Sequence, residues 1–183
     1  IVAGGRLQVL HLRQRLALLL NNGGLGLLLV LFALGFFMSF RLSFWVAFGI
    51  PFSFLGMFMI ALLVGVTINM LSLFGMILAV GILVDDGIVV GENIFSHIEK
   101  GKSPLRAAID GSIEVLPSVF TSVATTMIVF SAFFFLVGDI ANFLRDVAVI
   151  MVSSLAFSLV ECTLVLPSHL SHAAKQKKES KFR

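Results

Sequence analysis

The chain has 183 residues, 58% of them hydrophobic and only 13% charged, with a mean hydropathy of +1.07. A soluble domain of this length carries nearer to about 25% charged residues, so the composition indicates an integral membrane protein and excludes a soluble enzyme. The net charge of +3 does not point to nucleic acid, because five of the thirteen basic residues crowd into 175–183 and the rest stand at the ends of apolar runs, without a basic stripe on a polar face.

Residues 1–22 mix Arg6, Arg13 and Arg15 with leucines and read as an amphipathic, interfacial lead-in helix. Asn21-Asn22-Gly23-Gly24 marks a break. A first span is expected over 23–40, closed by Arg41, and a polar hinge at 39–43 leads into a second span over 44–66. Trp45 near its start suits the headgroup level, and Pro51 within it implies a kink. Thr67-Ile68-Asn69 is an uncharged turn. A third span follows over 71–91, its helix running on to Lys100 until Gly101 stops it.

Ser103-Pro104 reads as an N-cap followed by proline at the first helical position. Leu105, Ala108, Ile109, Ile113 and Leu116 then recur at helical spacing, which predicts a short amphipathic helix on the membrane face. Pro117 is expected to open a fourth span over 118–137, and a loop at 138–146 leads to a fifth over 147–166, ended by Pro167. The segment 168–183 is a basic tail. The expected fold is an all-α integral membrane bundle over 23–167, with five transmembrane helices, the lead-in helix and a short cytoplasmic surface helix.

Five crossings put the chain ends on opposite sides. Arg41, the stretch 100–106 and the tail share one side and carry nine Lys/Arg, against Arg6, Arg13, Arg15 and Arg145 on the other. The positive-inside rule then places the tail in the cytoplasm. Arginines at an external amino-terminal segment fit that rule poorly unless a span and a sizeable external domain lie upstream of Ile1. The start at Ile1, without Met or a signal-peptide pattern, suggests a piece of a longer protein.

The chemistry concentrates in GILVDDGIVVGEN, residues 81–93, where Asp85 and Asp86 interrupt a run that is otherwise long and apolar enough to cross a bilayer. An acidic side chain at the middle of a membrane helix costs roughly 2.5–3.5 kcal/mol on insertion scales. On a helix the two point about 100° apart, so they share one broad face and titrate as a coupled unit. A carboxylate buried there needs a cation, and no Lys or Arg lies mid-span in this chain. Gly81, Gly87 and Gly91 thin the helix and invite another helix to approach. The pair is read as proton-carrying; the plain alternative is a structural pair satisfied by hydroxyls or a permanent salt bridge.

Other candidates are weaker. Glu161, near the expected end of the fifth span, reads first as a snorkelling residue, with a proton exit route as the alternative. Glu92 and Asn93 read as helix-end solvation, with proton release as the alternative. Ser118, Thr121, Ser122 and Thr125 form a hydroxyl stripe suited to interhelical hydrogen bonds, or to orienting the acidic pair. The four histidines form no ligand constellation, and the single Cys162 in an apolar run reads as a small buried hydrophobe that permits neither an internal disulfide nor a CxxC site. No metal site, cofactor or enzyme activity is expected.

NMLSLFGMILAVGILVDDGIVVGENI, residues 69–94, resembles the fourth transmembrane helix of the RND (resistance–nodulation–division) efflux pumps, with the GxxxD element at Gly81–Asp85. EKGKSPLRAAIDGSIEVLPSV resembles the family's surface helix leading to its fifth span. GDIANFLRDVAVIMVSSL and LVLPSHLSH resemble the start and end of its sixth, and RLALLLNNGGLGLLLV the start of its second. Gly91 departs from the Val of many relatives, a difference of packing.

The resemblance implies the second to sixth helices of the first half of an inner-membrane pump, one that couples inward proton flow to export of hydrophobic or amphiphilic compounds. It implies proton translocation by Asp85 and Asp86, with a cationic intramembrane Lys from the remaining half of the same pump. It further implies a homotrimer in the lipid bilayer, joined to a periplasmic adaptor and an outer-membrane channel. The Asp-Asp doublet favours the hydrophobe/amphiphile branch over the metal-exporting one. Alternatives are a non-export RND relative in protein translocation or lipid handling, and an inactive truncated bundle.

Overall fold

A computed structural model describes residues 40–172 apart from Ile68, together with Gly24, Leu25, Leu28, Leu29 and Phe32. The expected lead-in at 1–22, nearly all of the expected span at 23–40 and the tail beyond 172 lie outside the described residues. Among the described residues there is no strand: the architecture is an all-α bundle in which four helices are long and apolar enough to cross a membrane.

The first of these, α1 (Phe40–Val64), contains Pro51 and runs through most of the expected hinge. Its Val46, Ala47, Ile50, Ser53, Met57 and Ala61 are buried at spacings of three and four residues. Phe48, Leu55, Met59 and Leu62 are exposed on the outer side. A helix apolar all round belongs inside a large core or a membrane. It ends at Val64, and the turn that follows delivers Asn69 as N-cap of α2 (Met70–Glu99). There the Ser72 amide donates to Asn69 Oδ1 at 2.9 Å while the Asn69 amide donates to Ser72 Oγ at 2.7 Å, a reciprocal capping box. Gly101, at φ +87°, takes the chain out of α2 in a conformation that favours glycine.

The amphipathic stretch and the fourth span, expected as separate pieces, form one helix, α3 (Pro104–Ser131), which passes through Pro117 and tightens into a 3-10 turn at Ala132–Phe135. Proline removes the bond that its own N–H would have made and crowds the carbonyl of the preceding turn, yet the helix continues through it. At 28 residues, α3 is about 42 Å long against a hydrocarbon core of about 30 Å. Arg106, Asp110 and Glu114 occupy the part in excess, leaving 115–135 as the apolar, membrane-spanning part.

The expected loop at 138–146 is also helical. After Gly138, α4 (Asp139–Val160) begins at once, passes into a π-helical turn at Glu161–Val165, and resumes as α-helix to His172. Pro167 therefore does not end it. The wider turn just before the proline shifts the hydrogen-bond register, one of the recognised ways a helix absorbs a ladder defect.

Helices consecutive in the chain alternate in direction, and α2 and α4 run parallel. Gly56 meets Phe157 and Gly49 meets Glu161, so α1 and α4 run antiparallel; Gly111 meets Ile94, so α2 and α3 do too. The central core, which includes Val46, Ile50, Val84, Val90, Val123 and Leu155, ties all four helices together.

Candidate functional site

The site is built on α2 where it crosses the middle of the bundle. Successive side chains on a helix diverge by about 100°, and here that angle separates the acidic pair. Asp86 is 6% exposed and faces the interior. Asp85 is exposed on the outer face of α2. The expected shared face is thus divided into one carboxyl inside and one outside.

Gly87 brings α2 onto α1: a Cβ there would lie 3.0 Å from Val46 Cγ1. At Gly81, four residues before Asp85 on the same outer face, a Cβ would meet no atom within 4 Å among the described residues. Gly87 thus packs within the bundle, whereas Gly81 lies on an open surface. Gly91 is buried.

Asp86 Oδ2 is buried and has no hydrogen-bond partner among the described residues. The two ion pairs among those residues, His97–Glu114 and Lys102–Asp110, lie at the end of the bundle where α2 meets α3. On α4, the Cys162 thiol donates to Glu161 Oε2 at 3.4 Å. Ser158 Oγ is in contact with the same sulfur at 4.0 Å.

Glu161 does not snorkel. It is 5% exposed, and eleven residues of described helix follow it, about 16 Å at 1.5 Å per residue. Space for its carboxyl comes from α1, where a Cβ on Gly49 would sit 2.5 Å from Glu161 Cδ. The Gly49–Ser53 spacing of four, a small-xxx-small element, is the sequence signal for this close approach.

Asn93 and the hydroxyl stripe also differ from expectation. The Asn93 side chain donates to the Gly111 carbonyl at 2.8 Å and to Glu114 Oε2 at 3.2 Å, cross-linking α2 to α3. His97 Nε2 donates to the same Oε2 at 2.7 Å. These hydrogen bonds, that from His97 foremost, hold the Glu114 carboxyl below the usual glutamate range. Lys102 does the same for Asp110. Glu92 is exposed. Thr121 Oγ1 donates to the Pro117 carbonyl and Thr125 Oγ1 to that of Thr121, both at 2.7 Å. Those bonds are within the helix, each to the carbonyl four residues back.

Two further polar contacts fix the ends. Trp45 stacks on His169 with ring centroids 4.2 Å apart and planes within 11°. At the other end Asp146 accepts from Asn69 Nδ2 at 3.0 Å and Thr67 Oγ1 at 3.2 Å, tying the α1–α2 turn to α4.

Residues 18–183 match the AcrB/AcrD/AcrF family. The multidrug resistance protein MdtC of Photorhabdus laumondii is 32% identical over 159 residues, 85% of this chain and 15% of that protein. An uncharacterized transporter of Haemophilus influenzae is 32% identical over 149 residues, 81% of this chain and 14% of its own length. MdtC of Salmonella paratyphi B is 34% identical over 140 residues, 76% of this chain and 14% of that protein. The chain therefore spans about one-seventh of the curated relatives it matches.

Proposed function

The chain belongs to the AcrB/AcrD/AcrF (RND) family, and from that premise we propose that it is part of the membrane engine of a proton-driven pump that exports hydrophobic or amphiphilic compounds. The observation that carries this reading is Asp86: a carboxyl buried in an apolar bundle, one oxygen of which has no hydrogen-bond partner among the described residues. A buried charge without a partner is expensive, so such a group is stable as the neutral acid and must rearrange its surroundings to ionise. That linkage is what a proton-coupled machine requires.

Asp85 has the complementary part. Its outer face, opened by Gly81, is where a helix from the rest of the pump would bring an intramembrane Lys against it. A proton moving across the membrane potential supplies about 2.3 kcal/mol per 100 mV, and loading one carboxyl while the other holds or releases its cation turns that into a helix shift. Glu92, exposed two turns along α2, lies toward the side where protons would leave.

The relatives named as multidrug resistance proteins support export as the task. Lys100, Lys102 and Arg106 gather at one end of the bundle and Arg145 at the other. That asymmetry favours an inner-membrane protein with its carboxyl-terminal tail in the cytoplasm. Assembly as a homotrimer with a periplasmic adaptor and an outer-membrane channel belongs to the same proposal.

The test is Asp86→Asn in the full-length pump, with expression and assembly matched to wild type. Loss of export driven by a pH gradient is expected. Unimpaired export would leave Asp86 a structural group only.

A further inference from the structure

We propose that Glu161 is a second proton-binding carboxyl, whose loading and unloading controls how α4 seats on α1 at Gly49. The inference rests on the reading of the chain as part of a proton-driven pump. Its basis is the close approach that Gly49 permits, since a Cβ there would oblige the end of the Glu161 side chain to shift. The Glu161 carboxyl carbon and both its oxygens come within 2.5–2.7 Å of the position a Cβ on Gly49 would take. The carboxyl thus lies directly on the α1 backbone, 5% exposed.

Among the described residues, nothing around it is suited to hold a charge. From α1, residues 43–64 contain no titratable side chain. From α2, Asp86, buried in the same bundle, is a second acid, not a cation. From α4 itself come Cys162, a weak donor, and Ser158 in contact with the sulfur. A carboxylate in this seat would be uncompensated, so the seated form is the neutral acid.

Ionisation then requires the group to leave. The carboxyl O–H bond breaks, the proton passes to water on the side of the bundle where Trp45 and His169 stack, and the carboxylate hydrates off its seat. Glu161 opens a π-helical turn, a local register defect of the kind often found at functional sites. Winding that turn back to α-helix would swing Glu161 away from Gly49 without unfolding α4. Buried acid on Asp86 and buried acid on Glu161, on two different helices, would give the bundle two steps in one proton path.

The test uses the full-length pump in liposomes, comparing Glu161→Gln, Gly49→Ala and Asp86→Asn with wild type. Two quantities are read: export across a series of pH gradients, and the infrared absorption of protonated carboxyl groups. Glu161→Gln, which keeps the shape of the neutral acid, is expected to stay assembled, to lose one protonated-carboxyl band while the Asp86 band remains, and to lose pH-gradient-driven export. Gly49→Ala, which keeps both carboxyls but crowds the seat, is expected to move the Glu161 band and shift the pH profile of export.

Wild-type export and pH profile in Glu161→Gln would overturn the proposal. If that variant failed to assemble, an unchanged band and profile in Gly49→Ala would overturn it alone. Loss of export in Asp86→Asn beside a silent Glu161→Gln would remove only this inference, whereas a silent Asp86→Asn would remove the pump reading as well.

Discussion

The ring of Phe157 lies against the bare Cα of Gly56: a Cβ at that glycine would overlap the Phe157 ring. Together with Gly49 and the buried Ser53, Gly56 makes a groove of small residues along α1 into which α4 presses its side chains. Without a hydrophobic drive between helices in lipid, this shape fit is a main source of association.

Gly56→Ala should therefore destabilise the bundle by about 1–3 kcal/mol, the usual cost of overpacking. Thermal unfolding in detergent measures it, and Phe157→Ala in the same chain should recover part of the loss. Wild-type stability in Gly56→Ala would show that the two helices are not in this register.

Asp85 and Asp86 should differ in access. In a Cys162→Ala background, Asp85→Cys should react readily with a maleimide in detergent and Asp86→Cys should not, because only the first faces outward. In the assembled full-length pump the Asp85→Cys site should become protected. Equal labelling of both positions in this segment would contradict the division of the pair.

The link between α2 and α3 should be sensitive to acid. The Glu114 carboxyl is held below its ordinary value of 4.5 by hydrogen bonds from His97 and Asn93. A carboxyl lowered in the folded state contributes stability that is fully present above the ordinary value and is lost as pH falls through the lowered one. Wild type should thus be more stable than Glu114→Gln at pH 7, and the difference should shrink below the ordinary glutamate range. Melting temperatures of both proteins across that range test it, and a constant difference would place the effect elsewhere.

Asp146→Ala removes the acceptor shared by Thr67 and Asn69. The contacts are partly exposed, so the expected loss is about 1 kcal/mol, the net scale of ordinary hydrogen bonds. Hydrogen exchange should rise in the α1–α2 turn while the middle of α2 stays protected. Unchanged exchange there would mean the turn is held by the Asn69–Ser72 capping box alone.

Composition and hydropathy by themselves determined that this is an all-helical membrane protein, because apolar runs of this length have no other stable fold in a bilayer. They also singled out Asp85 and Asp86, since two acids in such a run stand out whatever their surroundings. Helix limits were less legible. Pro117 and Pro167 read as boundaries, yet each costs one backbone bond that a long helix can do without, and the helix continues through both.

What only the tertiary structure decided is which face each polar group looks toward. Asp85 and Asp86 are one residue apart, and nothing in their own sequence says which of two faces will meet another helix. By position alone Glu161 reads as a surface group, and it is Gly49, more than a hundred residues earlier, that makes room for it inside the bundle. Asn93 and Glu114 meet because the 100–103 turn folds α3 back along α2. Burial is a property of pairs of helices, and a single strand of sequence carries only one member of each pair at a time.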